Sequence, residues 1–376
     1  MSSTDILFKP FHSEKLDLPN RIVMAPMTRS ASPGNVPSDR VVEYYRRRAA
    51  GGTGLIITEG TCVDHIGAHG FVDVPNFYGE AALAGWQAVV EAVHKEGGKI
   101  APQLWHVGAM REPGNYPGGD LPSYSPSGIA MPGVVSGKEM SQSDIDDVIG
   151  AFTQAAVNAK TIGMDAIEIH GAHGYLVDQF FWDKTNVRED GYGGNLKQRS
   201  RFGIELISSI RAAVGEDFPI ILRFSQFKQQ EYKACLAETP EALGNFLQPL
   251  VDAGVDIFHC SVRRFWEPAF EGSHLGLAGW TQKLTGKPAI AVGSVGLDAD
   301  FFADIKGFKT ANVDSSLDKL TDRMDAGEFD LIAVGRALIA NADWANIIRS
   351  GDYSALSAFE KSMLTSLEGA VAYSPK

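Results

Sequence analysis

The sequence predicts a single (β/α)8 TIM barrel domain that spans residues 1–376. Short apolar segments alternate eight times with longer amphipathic segments, as parallel strands alternate with their crossover helices. A length of 376 residues suits one such barrel with extended loops. No linker and no repeat beyond the strand–helix unit divides the chain, so we expect one domain.

Eight short apolar runs are the predicted strands. In chain order they are residues 21–25, 54–58, 99–104, 166–169, 219–223, 256–260, 289–292 and 331–334. The predicted helices follow these strands. They are residues 38–50, 79–96, 143–162 and 198–214, a helix that starts at residue 240, and residues 275–284, 315–324 and 344–349.

Local signals mark two helix starts. Ser141, with Asp144 three residues later, resembles a capping box. Thr239 and Pro240 suit the N-cap and the first turn of the helix that follows the fifth strand. Pro249 argues against a helix that runs through it, because proline lacks the backbone N–H.

A doubly wound open sheet is the structural alternative. Such a sheet usually carries a Gly-x-Gly-x-x-Gly turn after its first strand, and the sequence has none there. The glycines in residues 51–54 precede a strand, which indicates a helix-to-strand turn. Two extended loops, residues 108–137 and 262–280, follow the third and sixth predicted strands. In a barrel both lie on the C-terminal face, where active sites form.

Composition and charge narrow the class of protein. The net charge of −12 argues against nucleic acid as a partner. No apolar stretch approaches the roughly 20 residues of a membrane span, and the first residues do not resemble a secretory signal. The three cysteines are scattered, which fits a reducing cytoplasm and argues against a cysteine-rich metal centre. We therefore expect a cytoplasmic protein with a small-molecule substrate.

Side chains that suit a flat ring with a phosphate tail gather at the predicted strand ends. Barrels commonly bind phosphate with backbone N–H groups after strands seven and eight. The residues at those two positions are Gly293, Ser294, Gly335 and Arg336. The other strand ends supply a hydroxyl, an amide, an aromatic ring and a cation, which are Thr28, Gln103, Trp105 and Arg223.

The end of the fourth strand is the most informative segment. Within six residues it places His170, His173 and Tyr175 where a strand gives way to a loop. A single histidine at a strand end is more often structural than catalytic, but two histidines and a tyrosine on the active edge reverse that expectation. Such a cluster can hold a developing oxyanion and deliver a proton.

Several segments together resemble the old yellow enzymes, which are FMN-dependent ene-reductases. They are residues 20–29, 54–60, 103–108, 168–180, 186–194, 223–225 and 335–341. The resemblance implies a barrel with non-covalent FMN at its C-terminal mouth. It also implies that NADH or NADPH is the hydride donor and that an activated alkene is the acceptor.

The resemblance also implies roles for individual residues. The cofactor contacts are Pro26, Met27, Thr28, Gly60, Gln103 and Arg223, with Gly293, Ser294, Gly335 and Arg336 at the phosphate. His170 and His173 bind the substrate oxygen, and Tyr175 donates a proton. Trp105, Phe265 and Trp266 are the further expected substrate contacts. No metal is expected.

The chain departs from the family pattern at a few positions. Gly60 stands where alanine is usual, which we expect to be minor, and Gln226 replaces a proline. Residues 227–237 and 263–267 also differ from the common pattern. These last segments border the substrate, so they leave the substrate range open.

Elementary chemistry supports the same roles. Arg223 can stabilise the negative charge of a reduced flavin. Hydride transfer needs the reacting atoms about 3–3.5 Å apart. Two imidazole donors aimed at the substrate oxygen act as an oxyanion hole, worth roughly 3–4 kcal/mol each by analogy. Tyr175, with an ordinary pKa of about 10, keeps its proton at neutral pH and can give it to the α-carbon.

Two other classes of protein remain open from the sequence. One is a metal-dependent barrel hydrolase, because His-x-x-His can ligate zinc, although no matching set of ligands is evident at other strand ends. The other is a non-catalytic barrel that binds a flavin or another ligand.

Overall fold

A closed barrel of eight parallel strands forms the centre of the protein in a computed structural model that describes residues 3–111, 121–296 and 313–368. Consecutive strands pair with one another, and the eighth pairs with the first. The strands are β1 Ile22–Met24, β2 Leu55–Cys62, β3 Lys99–Trp105, β4 Ile167–His173, β5 Ile220–Lys228, β6 Ile257–Ser261, β7 Ala289–Val292 and β8 Leu331–Val334. The barrel confirms the predicted fold class.

The helices connect the strands and cover the barrel. They are α1 Asp39–Ala50, α2 Glu80–Lys95, α3 Gln142–Thr161, α4 Leu176–Phe181, α5 Leu196–Arg199, α6 Arg201–Val214, α7 Pro240–Ala253, α8 Leu277–Thr285, α9 Val313–Asp325, α10 Arg336–Ala340 and α11 Trp344–Ser350. Short 3₁₀ turns lie at Ser3–Phe8, Pro33–Asn35, Gly108–Met110, Tyr353–Ala355 and Lys361–Thr365. Every helix predicted from periodicity is present, with ends that differ by a few residues.

The capping signals act as predicted, and one proline does not. The Ser141 side chain and the Asp144 side chain form the reciprocal capping box of α3. Thr239 accepts a hydrogen bond from the Ala242 N–H at the start of α7. Pro249 lies inside α7, so the helix runs through this proline although the residue argues against it. The helix continues because its other residues bury an apolar face formed by Leu243, Phe246, Leu247 and Leu250.

Two apolar layers build the core. The larger one packs the outer face of the strands against the helices, and the smaller one fills the barrel interior. A two-stranded hairpin, Phe11–His12 with Asp17–Leu18, adds Phe11, Leu16 and Leu18 to the interior layer. The same layer contains the first residues of several strands, such as Leu55 and Leu331. The hairpin therefore closes the amino-terminal end and leaves the carboxyl end for a site.

Strands β4 and β5 are longer than predicted. The predicted ends were residues 169 and 223, whereas β4 reaches His173 and β5 reaches Lys228. A bulge between Gly171 and His173 lets the pairing continue, and His173 lies opposite Lys228. The histidines thus stand on a paired strand rather than in a loop, which fixes their positions more rigidly.

The loop after β3 has partial structure of its own. Tyr124–Ser125 pairs with Lys138–Glu139, and Ile129–Met131 pairs with Val134–Val135. Part of the extended loop predicted at residues 108–137 lies outside the described residues. Among the residues that the structure describes, no helix is long and apolar enough to cross a membrane.

Candidate functional site

A cavity of about 470 Å³ opens at the carboxyl ends of the strands. Its volume lies in the range of small-molecule and cofactor sites. Most of the residues predicted for the site line it together, and these are Pro26, Met27, Thr28, Gln103, Trp105, His170, His173, Tyr175, Arg223, Gly293, Ser294, Gly335 and Arg336. These residues come from six of the eight strand ends, and Ser261 and Val262 at the end of β6 add a seventh.

Three of the predicted residues, Gly60, Phe265 and Trp266, do not line this pocket. Phe265 is buried, and its ring packs edge-on against Trp266 and Phe329. Gly60 lies behind Trp105, and a Cβ there would overlap the Trp105 ring. An alanine at residue 60 therefore needs that ring to move, so the expectation of a minor departure is wrong. The loop after β6 instead places Val262 and Arg263 at the pocket.

A buried polar network fixes the floor of the pocket. The Gln103 amide donates to one Glu168 carboxylate oxygen at 2.7 Å, and His259 Nδ1 lies 2.5 Å from the other. All three residues are buried, and Gln103 alone of the three lines the cavity. Because its NH₂ group is held by the carboxylate, Gln103 keeps its amide oxygen for a ligand N–H.

Arg223 places a buried cation beside this floor. Its Nη2 donates to the Ser261 hydroxyl at 3.3 Å. Among the residues that the structure describes, none forms a hydrogen bond with the buried Arg223 Nε–H. Burial lowers the pKa of Arg223, and the nearby Glu168 carboxylate opposes that shift. A buried guanidinium with a donor to spare is suited to an anionic or carbonyl-bearing ligand.

Of the two histidines of the turn, His170 is buried and His173 is half-buried. Burial, followed by the charge of Arg223, holds the pKa of His170 and of His173 well below the ordinary value. The His170 Nδ1 accepts from the Ala172 N–H at 3.4 Å, so its ring carries the proton on Nε2. His173 Nε2 lies 2.8 Å from the Ser261 hydroxyl, which orients that ring.

Tyr175 completes the cluster. Its ring centroid lies 4.9 Å from that of His170, in an edge arrangement, and 4.9 Å from the Trp105 ring. Burial raises the pKa of Tyr175 to about 12. The phenol therefore keeps its proton throughout the neutral range and is available as a donor.

Aromatic rings form the walls above the cluster. Trp105 stacks near Phe71 on one side, with ring centroids 5.5 Å apart. On the other side Phe227 lies 5.3 Å from His173 and stacks with Tyr232 at 5.8 Å. These walls suit a flat, partly apolar ligand.

The ends of β7 and β8 form another side of the pocket. Gly293 has a φ of 143°, and a Cβ there would overlap the Val262 carbonyl. Ser294 has a φ of 56°, and its hydroxyl donates to the Arg263 carbonyl at 2.9 Å. This tight turn, Gly335 and Arg336 line the pocket at the strand ends where a barrel commonly binds phosphate.

Several lining residues were not named as site residues from the sequence, although four of them lie in the segments 227–237 and 263–267, which were expected to border the substrate. They are Phe227, Gln229, Tyr232, Ser261, Val262, Arg263, Ile339 and Leu364. Ser261 directly follows the predicted sixth strand, so a closer reading of strand ends finds it. Phe227 and Gln229 depend on the extension of β5, and Leu364 comes from a distant 3₁₀ turn, so local patterns do not reveal them.

The pocket combines a buried guanidinium and an amide, which suit a flat anionic ligand, with two imidazoles and a phenol, which suit a developing oxyanion. This combination is typical of a barrel oxidoreductase. The chain belongs to the NADH:flavin oxidoreductase / NADH oxidase family, whose model matches residues 6–354. This assignment confirms the resemblance to the old yellow enzymes. It disfavours a metal-dependent hydrolase.

Curated relatives match over most of the chain. A putative 12-oxophytodienoate reductase 2 of Oryza sativa subsp. japonica is 34% identical over 345 residues, which are 90% of this chain and 85% of the relative. An NADH oxidase of Thermoanaerobacter brockii is 35% identical over 354 residues, which are 92% of this chain and 51% of that protein.

Solved structures show the same architecture. Morphinone reductase in complex with tetrahydroNAD superposes with a TM-score of 0.79 at 29% identity, over 95% of this chain and 93% of that one. The old yellow enzyme homologue from Zymomonas mobilis gives a TM-score of 0.78 at 25% identity, with 96% of each chain covered.

FMN is the cofactor that the family implies, and the pocket fits it. Among the described residues, the buried Arg223 Nε–H has no hydrogen-bond acceptor. The Gln103 amide nitrogen is bonded to Glu168, so the Gln103 amide oxygen remains for a ligand N–H. Gly293 lines the same pocket, and it must be glycine because a Cβ there would overlap the Val262 carbonyl. The protein is therefore an FMN-dependent oxidoreductase that uses a nicotinamide donor.

Proposed function

We propose that the protein reduces the carbon–carbon double bond of an α,β-unsaturated carbonyl or nitro compound, with NADH or NADPH as the reductant. The observation that carries this proposal is the cluster of His170, His173 and Tyr175 in the same pocket as Arg223. FMN, held by Thr28, Gln103 and Arg223, would supply the transfer of hydride from a nicotinamide to an electron-poor carbon. The residues of the chain must then bind the substrate oxygen and supply a proton.

The histidines hold the substrate oxygen. Both are neutral because burial lowers the pKa of each, so each ring has one N–H to donate. Negative charge develops on the carbonyl or nitro oxygen as the double bond is reduced, and these donors stabilise it. His170 stands on β4, and the contact of His173 Nε2 with the Ser261 hydroxyl orients the second ring.

Tyr175 supplies the proton. Its phenol lies at the edge of the His170 ring and remains protonated at neutral pH. We infer that it gives this proton to the α-carbon of the substrate while the histidines hold the oxygen. Trp105 and Phe227 limit the space on either side and favour flat substrates.

The remaining lining residues hold the cofactor. We infer that Thr28, Gln103 and Arg223 bind the ring, because all three line the pocket, as Pro26 and Met27 also do. We infer likewise that Gly293, Ser294, Gly335 and Arg336 bind the phosphate, because they line the side formed by the ends of β7 and β8. Relatives named 12-oxophytodienoate reductase and morphinone reductase act, by those names, on carbonyl compounds, which supports the substrate class.

Two measurements test this function. The purified protein is denatured and the released cofactor is chromatographed, and we expect FMN. Anaerobic oxidation of NADH and NADPH is then followed with and without cyclohexenone, and we expect the enone to accelerate it. Release of FAD contradicts the cofactor assignment, and oxidation that the enone does not change contradicts the proposed activity.

A further inference from the structure

A buried ion pair joins the two segments that flank the turn after β4. Lys228, the last residue of β5, places its Nζ 2.5 Å from a carboxylate oxygen of Asp178, which belongs to α4. Both side chains are fully buried. Neither residue lines the pocket, so any effect of the pair on a ligand must pass through residues that do.

The turn between these segments needs support because its backbone is unusual. His173 has a φ of 66° and Gly174 has a φ of 82°, so two successive residues are left-handed. For a histidine this conformation is strained and persists only when its surroundings hold it. The position of the His173 ring therefore depends on the contacts that hold this backbone.

Both partners of the ion pair contribute to those contacts. The second Asp178 carboxylate oxygen accepts from the Gly174 N–H at 2.7 Å. Lys228 pairs in register with His173, and its Nζ also lies 3.4 Å from the Ser225 carbonyl oxygen. The Ser225 hydroxyl in turn accepts from the His173 N–H at 3.0 Å. The pair therefore connects the strand side of the turn to its helix side.

The two charges make this connection rigid. In fully buried surroundings a carboxylate or an ammonium without its partner is costly, so neither group can move away from the other. A buried ion pair often adds little net stability compared with apolar side chains of similar size. The geometry that the pair fixes therefore explains its presence better than a gain in stability does.

We propose that Asp178 and Lys228 are positioning residues for the substrate oxygen, which hold the left-handed turn that presents His173 and Tyr175 to the pocket. The Asp178 carboxylate holds the Gly174 N–H, and the Lys228 ammonium fixes that carboxylate. The inference rests on the proposed function, since that function assigns His173 to the substrate oxygen and Tyr175 to the proton.

The test compares two double variants that both remove the ion pair. Lys228→Met with Asp178→Asn leaves an amide oxygen that can accept from the Gly174 N–H. Lys228→Met with Asp178→Leu leaves no acceptor. Neither variant contains an unpaired buried charge, so both are expected to fold and to bind FMN. Lys228→Met with Asp178→Ala is a smaller acceptor-free variant that replaces the leucine variant if leucine does not fit.

The two variants should differ in how they bind ligands at the histidines. Phenol is titrated into the FMN-loaded protein and followed by the flavin absorbance, and the KM for cyclohexenone is measured separately. Loss of one hydrogen bond to the turn predicts roughly three- to tenfold weaker phenol binding, and a similar rise in KM, for the acceptor-free variant. The asparagine variant should recover most of that loss.

The controls separate positioning from general damage. The FMN content should match that of wild type in both variants, which shows that the barrel is intact. Lys99 and Asp165 form the matched control pair at the amino ends of β3 and β4, because Asp165 also binds a lysine through one oxygen and the Ile100 N–H through the other. Lys99→Met with Asp165→Leu should leave phenol affinity unchanged.

The outcomes distinguish this inference from the proposed function. Wild-type phenol affinity in the folded acceptor-free variant, or equal weakening in the asparagine and acceptor-free variants, overturns the positioning role while the proposed function stands. Weaker phenol binding in the Lys99 and Asp165 control also overturns it, because the effect is then not specific to the turn. If the wild-type protein does not reduce the enone, the proposed function fails and the inference fails with it.

Discussion

The turn after β4 and the loop after β6 lie at the same end of the barrel, but they use their side chains differently. The turn directs His170, His173 and Tyr175 into the pocket. The loop sends Phe265 into the core against Phe329 and leaves Arg263 at the pocket. Backbone pairing between strands fixes the positions of polar side chains at the site, whereas aromatic residues of a long loop can turn away from the site and pack into the core.

Removing both histidines of the turn is expected to give a very large loss. His170→Ala with His173→Ala removes two donors, each worth roughly 10²–10³ in rate by analogy with other oxyanion holes. Enone reduction should therefore fall far more than nicotinamide oxidation, as measured anaerobically. In the wild-type protein we expect a phenol to bind as an anion, with its oxygen held by the two imidazoles, and to give a long-wavelength charge-transfer band with bound FMN. In the double variant phenol binding should weaken and this band should disappear. Retention of that band would remove the histidines from substrate binding.

Removing the buried cation should affect the cofactor. Arg223→Ala removes the guanidinium whose Nε–H has no hydrogen-bond partner among the described residues. We therefore expect weaker FMN binding or a lower reduction potential of the bound flavin. Arg223→Lys keeps the charge and should recover part of the potential. Flavin content and redox titration measure both quantities. Normal values of both in the alanine variant would show that Arg223 does not face the cofactor.

The turn should also make stability sensitive to acid. Burial holds the pKa of His170 and His173 well below the unfolded value of about 6.5, so the unfolded state binds more protons below that pH. Stability therefore falls as pH drops through this window. Glu59, whose pKa burial raises to about 7, contributes in the opposite direction.

Thermal unfolding at pH 7.5 and pH 5.5 tests this sensitivity. The variant that lacks both histidines should lose less stability on acidification than wild type, because Glu59 is present in both and its contribution cancels. An equal loss in the two proteins would place the acid sensitivity elsewhere.

A conservative change in the loop after β6 should have the smallest effect on activity. Phe265→Leu keeps an apolar side chain in the core and should cost less than about 1.5 kcal/mol of stability. The KM for the enone should not change, because Phe265 faces Trp266 and Phe329 rather than the pocket. A several-fold rise in the KM for the enone would show that Phe265 does contribute to substrate binding.

Periodicity predicted the barrel because strand and helix repeats depend on local pattern. The predicted strand ends also identified most of the pocket residues, because the carboxyl ends of parallel strands lie together at one end of a barrel. The extension of β5 was missed because its pairing of Lys228 with His173 joins residues distant in sequence. Phe265 and Trp266 were misplaced because composition does not show which side of a loop is buried.

The half-reactions of Tyr175→Phe test the central claim most directly. Stopped-flow measurement separates oxidation of the nicotinamide from reduction of the alkene. We expect the first to proceed almost normally and enone reduction to fall within the roughly 10²–10⁴-fold range of general-acid catalysis. Nitroalkenes should lose less, because their nitronate product can leave and be protonated in water. Equal slowing of both halves, or unchanged enone reduction, would contradict the account and assign the proton to another donor.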